Sequence, residues 1–388
     1  MRILYYSPHP ELNFHAPTGY GRHMREMVAA FREAGHEVDL LIGGGDRVMA
    51  NSKPASVKKN ASRKMIPPLA WQSARDLALL RFDRRMGARL ALKIAEFKPD
   101  MVYERVAYLQ ASGVRTCRKV GIFHFAEVNA PFPEERHYFS GKSLLIGLSR
   151  KIEREIFTQT NAMSTVSEAL RRYALRVATQ VEGKISVIPN AIDPNGLPNR
   201  LNGKAIRADL NVANHIVIGF VGSVFAYHGV DLLIKGFAKI ESQYPATLLI
   251  VGDGAILPEL RRMAAQLGIA EKVHFTGSVR HADVYHYIDA MDICCMTKSN
   301  WYGSPVKIFE YGLLAKAILA PNVAPVRDVM TESDGKFCEP DVEDIAKKLS
   351  ELLQNKALRE ELGLHWNRKV LSNYTWAHAA QKVLDLCT

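Results

Sequence analysis

Short apolar runs alternate with stretches whose apolar positions recur at helical spacing, and this alternation is played through twice along the chain. Arg2–Ser7 is a short apolar run that ends in a Pro- and Gly-containing loop, Pro8–Gly21. Met24, Met27, Val28 and Phe31 then follow at helical spacing, and Gly35 suits the stop of that helix. Further apolar runs lie at Val38–Ile42, Met101–Tyr103, Gly121–Phe125, Ala162–Val166 and Ile185–Ile188, with helical patterns between most of them. The pattern restarts at Ile216–Val221, a run followed by a glycine loop and a helix carrying Val230, Leu233, Ile234, Phe237 and Ile240. Leu248–Val251, Val273–Phe275, Ile293–Met296 and Ala317–Ala320 continue it. Strand-helix alternation of this kind predicts an α/β fold of parallel, doubly wound sheets with helices on both faces.

A chain of 388 residues is too long for one ordinary core, so two domains are expected. The segment Pro189–Asn214, rich in Asn, Pro and Gly, reads as the linker, which places the boundary near residue 195. The expected division is residues 1–195 and 196–370. The last helix, within 371–388, follows other helices without an intervening strand and is expected to cross back to the first domain. Ligands in doubly wound sheets bind outside the carboxyl ends of the strands. The loops directly after the apolar runs are therefore the ones to search for chemistry.

Composition narrows the class. Hydrophobic residues make up 47% and charged residues 23%, the profile of a soluble globular protein, and no apolar run is long enough to span a bilayer. The N-terminus, MRILYYSPHP, lacks the segments of a signal peptide, so a cytoplasmic location is expected. Cys117, Cys294, Cys295, Cys338 and Cys387 form no CxxC pair and no metal-like cluster, so neither a disulfide framework nor a metal site is expected. Nearly all of the net charge of +11 sits between Arg47 and Lys93, where twelve basic residues face only Asp76 and Asp83. Apolar residues such as Trp71, Leu77 and Phe82 are interleaved there. A segment of this kind can lie on an anionic membrane surface, and equally it can be a solvated loop and helix face. No nucleic-acid motif accompanies it.

Four loops carry candidate chemistry. Gly19 and Gly21, in Thr18-Gly19-Tyr20-Gly21, allow close backbone approach just before a helix N-terminus, although the spacing is not the G-x-G-x-x-G of a dinucleotide site. Gly222–Gly229 follows a strand and opens a helix, and its Ser223 and His228 can each hydrogen-bond a phosphate oxygen. Val251-Gly252-Asp253-Gly254 offers Gly252 and Gly254 where a base or ribose can approach the backbone; a tight strand-helix turn needs the same residues. The fourth loop is the most informative. In Tyr302–Tyr311, Pro305 suits a first helical turn, the amides near Ser304, Pro305 and Val306 face an anion, and Lys307 adds a positive charge. Glu310, one turn on, can grip a ribose diol. An amphipathic helix with a surface Lys–Glu pair would look the same.

Taken together, these loops resemble the retaining glycosyltransferases of family 4. The matching pieces are TGYGRHMREMVAAFREAGHEV, EVNAPFPEER, VSEALRRY, VIPNAID, GFVGSVFAYHGVDLLIKGF, LLIVGDG and SPVKIFEYGLLAKAILAP, and they fall in the family's order over most of the chain. The resemblance implies the GT-B fold, two Rossmann-like domains facing a central cleft, and transfer of a sugar from a UDP- or GDP-linked donor with retention of configuration. It implies no further cofactor and no metal. The acceptor would be a glycan, a lipid-linked molecule or a small molecule, and a lipid-linked one would be met at the inner face of a membrane.

The resemblance also implies roles for residues. Glu310 matches the second acid of the family's E-x7-E pair, which holds the nucleotide ribose, while the place of the first is taken by Tyr302. Ser223 and His228 stand where many members have an arginine and a lysine for the diphosphate, and Lys307 supplies part of that charge. Gly19 and Gly21 match the glycine loop near the donor phosphate. Glu127 and Asn129 fall where the family has residues facing donor sugar and acceptor, with His124 close by. Two rivals stay open: a nucleotide-sugar epimerase of the same architecture, and a non-catalytic sugar-nucleotide-binding partner.

Overall fold

The computed structural model describes residues 1–16, 18–46 and 67–387. The chain divides into two compact units, Met1–Pro189 with Trp376–Thr388, and Asn190–Thr375. Six residues of the basic stretch, Arg47, Lys53, Lys58, Lys59, Arg63 and Lys64, lie outside the described residues.

The first unit is built on strands β1 (Arg2–Ser7), β2 (Glu37–Ile42), β3 (Met101–Arg105), β4 (Phe123–Val128), β5 (Ala162–Thr165) and β6 (Ile185–Val187). All pair in parallel, in the order β2-β1-β3-β4-β5-β6. Helices α1 (Gly19–Glu33), α2 (Pro68–Phe97), α3 (Ser112–Val120), α4 (Phe132–Ser140), α5 (Ile146–Gln159) and α6 (Glu168–Val177) connect them. The strand after α3 begins later than the apolar pattern indicates. Gly121, at φ 74°, ends the helix, so the strand runs Phe123–Val128 and Glu127 belongs to it. Similarly, α1 starts at Gly19, with Thr18 as its N-cap, so both glycines of the first loop lie in the opening helical turn.

In α2 the two acids of the basic stretch face inward. Asp83 accepts from the amides of Ala111 and Ser112 at 3.1 Å each, capping the start of α3, and Asp76 accepts from Tyr108 and Arg136. The exposed side of α2 keeps the arginines.

The second unit repeats the plan with β7 (Ile216–Val221), β8 (Ala246–Val251), β9 (Val273–Gly277), β10 (Ile293–Cys295), β11 (Ala317–Pro321) and β12 (Lys336–Cys338). Their order is β12-β11-β10-β7-β8-β9, so the chain reverses direction across the sheet where β7 meets β10. Its helices are α7 (Gly203–Asp209), α8 (Val230–Ala238), α9 (Leu257–Gln266), α10 (Val284–Asp289), α11 (Val306–Leu313), α12 (Ala324–Arg327), α13 (Val342–Gln354) and α14 (Lys356–Asn373). The segment expected to be linker is part of this unit. Its helix α7 is tied down where the Gly203 amide donates to Asp289 and Arg207 pairs with Asp292 at 2.9 Å. The division accordingly falls after Pro189 rather than near 195. Two apolar layers sandwich the sheet, one around Phe220, Leu233, Phe237 and Leu349, the other around Phe309, Tyr311, Met291 and Trp366. Cys294 and Cys295 are buried free thiols on β10, and burial pushes Cys294 up to about 12.

The last helix, α15 (Trp376–Asp385), is counted with the first unit, where it packs against α1; the Trp376 ring meets His23 edge-on at 4.7 Å.

Candidate functional site

Strand order explains why two distant loops of the second unit meet. The loop after β7, Gly222–Gly229, and the loop leading into α11 follow neighbouring strands at the point where the sheet reverses, the usual ligand position in such sheets. Two hydrogen bonds fix α11 there: Val221 N donates to Tyr311 Oη at 3.0 Å, and Trp366 Nε1 donates to the Ile308 carbonyl at 2.7 Å. Pro305 is the N-cap residue, with extended backbone, and Val306 opens the helix. The first amides of that helix have no acceptor within it and so favour an anion.

The side chains around this helix start are arranged by donor and acceptor logic. Lys307 Nζ lies 3.3 Å from His228 Nε2, and His228 Nδ1 lies 2.6 Å from the Ser223 carbonyl. A carbonyl only accepts, so Nδ1 carries the proton and Nε2 receives a hydrogen bond from the ammonium. Burial and the neighbouring Lys307 hold His228 down at about 4, so it is neutral at pH 7. His228 is therefore a neutral prop for Lys307 rather than a second cation. Burial also lowers Lys307 to about 8, partly offset by Glu310 one turn further along. Glu310 is itself buried. Ser304 is engaged by the same unit: its Oγ accepts from the Asn190 amide at 3.0 Å, and its carbonyl accepts from Asn190 Nδ2. Tyr302 is buried, with its amide donating to Asn300.

The glycines divide by role. Gly222 has φ 131°, and a Cβ there would stand 2.4 Å from Lys307 Cε, so the lysine lies directly across this residue. At Gly252 and Gly254, both half-buried, the place of a side chain is taken by a carbonyl of the neighbouring loop. A Cβ on Gly252 would meet the Gly222 carbonyl at 2.0 Å, and one on Gly254 would meet the Val224 carbonyl at 2.1 Å. Their smallness lets the two loops pack backbone against backbone, joined by the Val224 amide donating to the Asp253 carbonyl at 2.9 Å. In the first unit, Gly21 is similarly crowded by the Ala16 carbonyl, 2.3 Å from where its Cβ would be, while Gly19 has open space.

Glu127 sits at the carboxyl end of β4, directly across from Arg105 on β3. One of its oxygens accepts from Arg105 at 2.8 Å, from Asn129 at 2.8 Å and from His23 Nε2 at 3.0 Å. Arg105 also donates to His23 Nδ1, at 3.1 Å, which makes the imidazole neutral with its proton on Nε2. Burial lowers His23 to about 4 in agreement. Burial pushes the Glu127 carboxyl up, but His23 and Arg105 outweigh it and hold the group below its usual range. One Glu127 oxygen thus collects three donors and ties the ends of β3 and β4 to α1, while the other, Oε2, is buried with no hydrogen-bond partner among the described residues. His124 points to the opposite face of the sheet. It is buried, with Nε2 2.6 Å from Glu104 and Nδ1 3.0 Å from Thr160, and it does not join Glu127 and Asn129.

Sequence reasoning did not select His23, Arg105 or Asn190. Arg105 carried one readable signal: with Glu104 it forms a charged pair directly after the apolar run Met101–Tyr103. Nothing in a single sequence pairs Asn190 with Ser304, which are 114 positions apart. Among the described residues, no group of three or more His, Cys, Asp or Glu is placed to hold a metal ion.

The chain and its fold belong to a known class. The family model Glycosyltransferase Family 4 matches residues 17–195 and Glycosyl transferases group 1 matches 215–355. Together they take in most of both units, and the chain belongs to the GT4-type glycosyltransferases. Phosphatidyl-myo-inositol mannosyltransferase of Mycolicibacterium smegmatis is 22% identical over 96% of this chain and 90% of its own. The gpi3 subunit of phosphatidylinositol N-acetylglucosaminyltransferase from Schizosaccharomyces pombe is 22% identical over 73% of this chain. The chain spans about half the length of several curated relatives: 57% of that subunit and 45% of an uncharacterized glycosyltransferase of Haemophilus influenzae. Among solved structures, Anabaena HepE in complex with UDP superposes with a TM-score of 0.75 at 16% identity over 99% of both chains. WaaG, a glycosyltransferase involved in lipopolysaccharide biosynthesis, gives 0.68 at 15% identity over 99% of both. The fold is GT-B.

Proposed function

We propose that this glycosyltransferase is a retaining, metal-independent hexosyltransferase that binds a UDP- or GDP-linked sugar on its second unit. Its acceptor is a glycan, lipid-linked or small molecule of polysaccharide or glycoconjugate synthesis. The observation that carries the reading is the start of α11. There amides, the Lys307 ammonium propped by His228, and the Glu310 carboxylate follow one another within a single turn of helix. Amides and ammonium suit a diphosphate; the carboxylate one turn away suits a ribose diol. Two similar proteins support the donor and acceptor classes: HepE has been solved with UDP-glucose, and one Mycolicibacterium relative is a phosphatidyl-myo-inositol mannosyltransferase.

In the proposed reaction the bond from the anomeric carbon to the β-phosphate oxygen breaks, and the acceptor oxygen bonds to that carbon on the same face. The acceptor's proton passes to a phosphate oxygen. Negative charge grows on the departing diphosphate, where fixed amides and Lys307 stabilise it without reorganising. Ser223 takes part through its carbonyl, which fixes the tautomer of His228.

Isothermal titration with UDP, GDP and their sugars, followed by a transfer assay, tests the reading. Lys307→Ala is expected to cost about 2–4 kcal/mol of transition-state stabilisation, and Glu310→Ala to weaken nucleotide binding. Wild-type activity in both variants would sink the site. Turnover of the nucleotide sugar without any acceptor would favour an epimerase instead.

A further inference from the structure

The first unit carries a surface that the transfer chemistry does not use. At the corner between α4 and α5, Tyr138 is 80% exposed, Phe139 57% and Leu144 73%, and Leu148 is exposed on the first turn of α5. The Tyr138 and Phe139 rings meet edge-on at 4.9 Å, a rigid aromatic pair on the surface. The start of α2 is joined to this corner. Leu144 N donates to Ser73 Oγ at 3.0 Å, and Arg136 reaches Gln72 and Asp76. Leu69 and Leu77, one turn before and after Ser73, are exposed as well. Six large apolar side chains thus crowd one region, more than isolated surface hydrophobics account for.

The charge around them is mainly of one sign, with Glu134 and Glu135 in the first turn of α4 as exceptions. Between Arg136 and Ile152 there are Lys142, Arg150 and Lys151 and no acid. On α2 the exposed side presents Arg75, Arg81, Arg84, Arg85 and Arg89, while Asp76 and Asp83 are turned into the unit by the bonds described above. Of these arginines Arg75 pairs with Glu11 at 3.4 Å. Aromatic and aliphatic side chains beside an excess of exposed cations match an anionic bilayer, whose headgroups attract the cations and whose acyl boundary receives the apolar tips. A second copy pairing through this same surface would set cations against cations.

We propose that the α4–α5 corner, together with the exposed side of α2, is a docking surface for an anionic lipid bilayer. The apolar tips insert shallowly, and the arginines and lysines hold the surface electrostatically. This goes beyond the reading of the donor site and does not depend on it.

Flotation of the full chain with phosphatidylcholine vesicles, with and without phosphatidylglycerol, tests the proposal. The protein is expected to float with the anionic vesicles and to be largely released by high salt, because the cations provide the long-range part. Tyr138→Ser with Phe139→Ser and Leu144→Ser is expected to lower partitioning about tenfold or more at low salt. Arg84→Glu with Arg85→Glu is expected to do so only with the anionic vesicles. Unchanged thermal melting and nucleotide affinity in both variants show that the fold and donor site are intact. If the serine variant floated like the wild type, or neutral and anionic vesicles recovered equal amounts, the proposal would fail. It would also fail if the wild type sedimented as a dimer that the serine variant turned into a monomer, which would assign the surface to a second copy.

Discussion

Lys307 Nζ stands 3.3 Å from His228 Nε2, and the imidazole is held in place by its own hydrogen bond to the Ser223 carbonyl. One half-buried ammonium is thereby aimed by a neutral side chain. Burial lowers Lys307 to about 8, well below its ordinary 10.5. The ammonium form is the one that pairs with a diphosphate. Nucleotide affinity is therefore expected to be level below pH 7 and to fall above pH 8, by up to about tenfold per pH unit. The unliganded fold shifts the other way. Between pH 8 and 10.5 the folded lysine has lost its proton while the unfolded one keeps it, so stability from this group rises with pH. Titration of UDP or GDP between pH 6.5 and 9.5 checks this, and Lys307→Arg is expected to flatten the profile. An affinity unchanged across that range in the wild type would refute it.

Gly222 is expected to be intolerant of even one methyl group. Its φ of 131° strains any L side chain, and a Cβ would press on Lys307 Cε. Gly222→Ala is expected to cost about 1–3 kcal/mol of stability from strain alone. It should also weaken nucleotide binding further by displacing the ammonium. Thermal melts in parallel with titration calorimetry separate the two losses; a variant with both values unchanged would remove Lys307 from the contact.

The Arg105–Glu127 pair is expected to behave as a structural ion pair. Glu127→Ala leaves a buried guanidinium opposite a neutral histidine and is expected to cost about 3–5 kcal/mol. Arg105→Met with Glu127→Leu removes both charges and should cost less than the single change. Urea denaturation of the four proteins of this cycle gives the coupling. If Glu127→Ala were as stable as the wild type and yet inactive, the carboxylate would belong to catalysis.

Glu153 gives a pH dependence of the fold itself. It is buried in α5 and accepts from Tyr173 at 2.6 Å, and burial, with Glu134 nearby, raises it to about 8. Its folded value lies above its unfolded one, so the folded chain holds the extra proton between pH 4.5 and 8. Stability is lost across that window as pH rises, by at most about 1.4 kcal/mol per pH unit. Glu153→Gln keeps a polar partner for Tyr173 and is expected to remove the slope. Melting temperatures from pH 5 to 8 measure it, and parallel curves for the two proteins would rule the effect out.

Much of this protein was legible in order along the chain. Periodicity is local, so the runs at Ile216–Val221 and Leu248–Val251, and the helix through Leu233 and Phe237, declared themselves without knowledge of their neighbours. Those elements stand where the pattern put them. The proline, lysine and glutamate of Pro305–Glu310 were also readable, because a helix start and its first turn are set within a few residues. Boundaries set by caps were less so: Gly121 closes a helix rather than opening a strand, and the Asn- and Pro-rich segment near 203 folds into α7 because Asp289 and Asp292 receive it.

What each candidate residue touches was decided only in three dimensions. Gly252 and Gly254 look like residues cleared for a ligand, but the side-chain position of each is taken up by a carbonyl of the loop after β7, some thirty positions earlier. Glu127 and His124 are three apart in sequence. The two-residue repeat of a strand sends them to opposite faces of one sheet, the first to Arg105 and the second to Glu104. Local sequence sets backbone shape through sterics and hydrogen bonding over a few residues. Charge state, tautomer and access depend on partners that only parallel strand order brings together, and a single chain of letters does not contain that order.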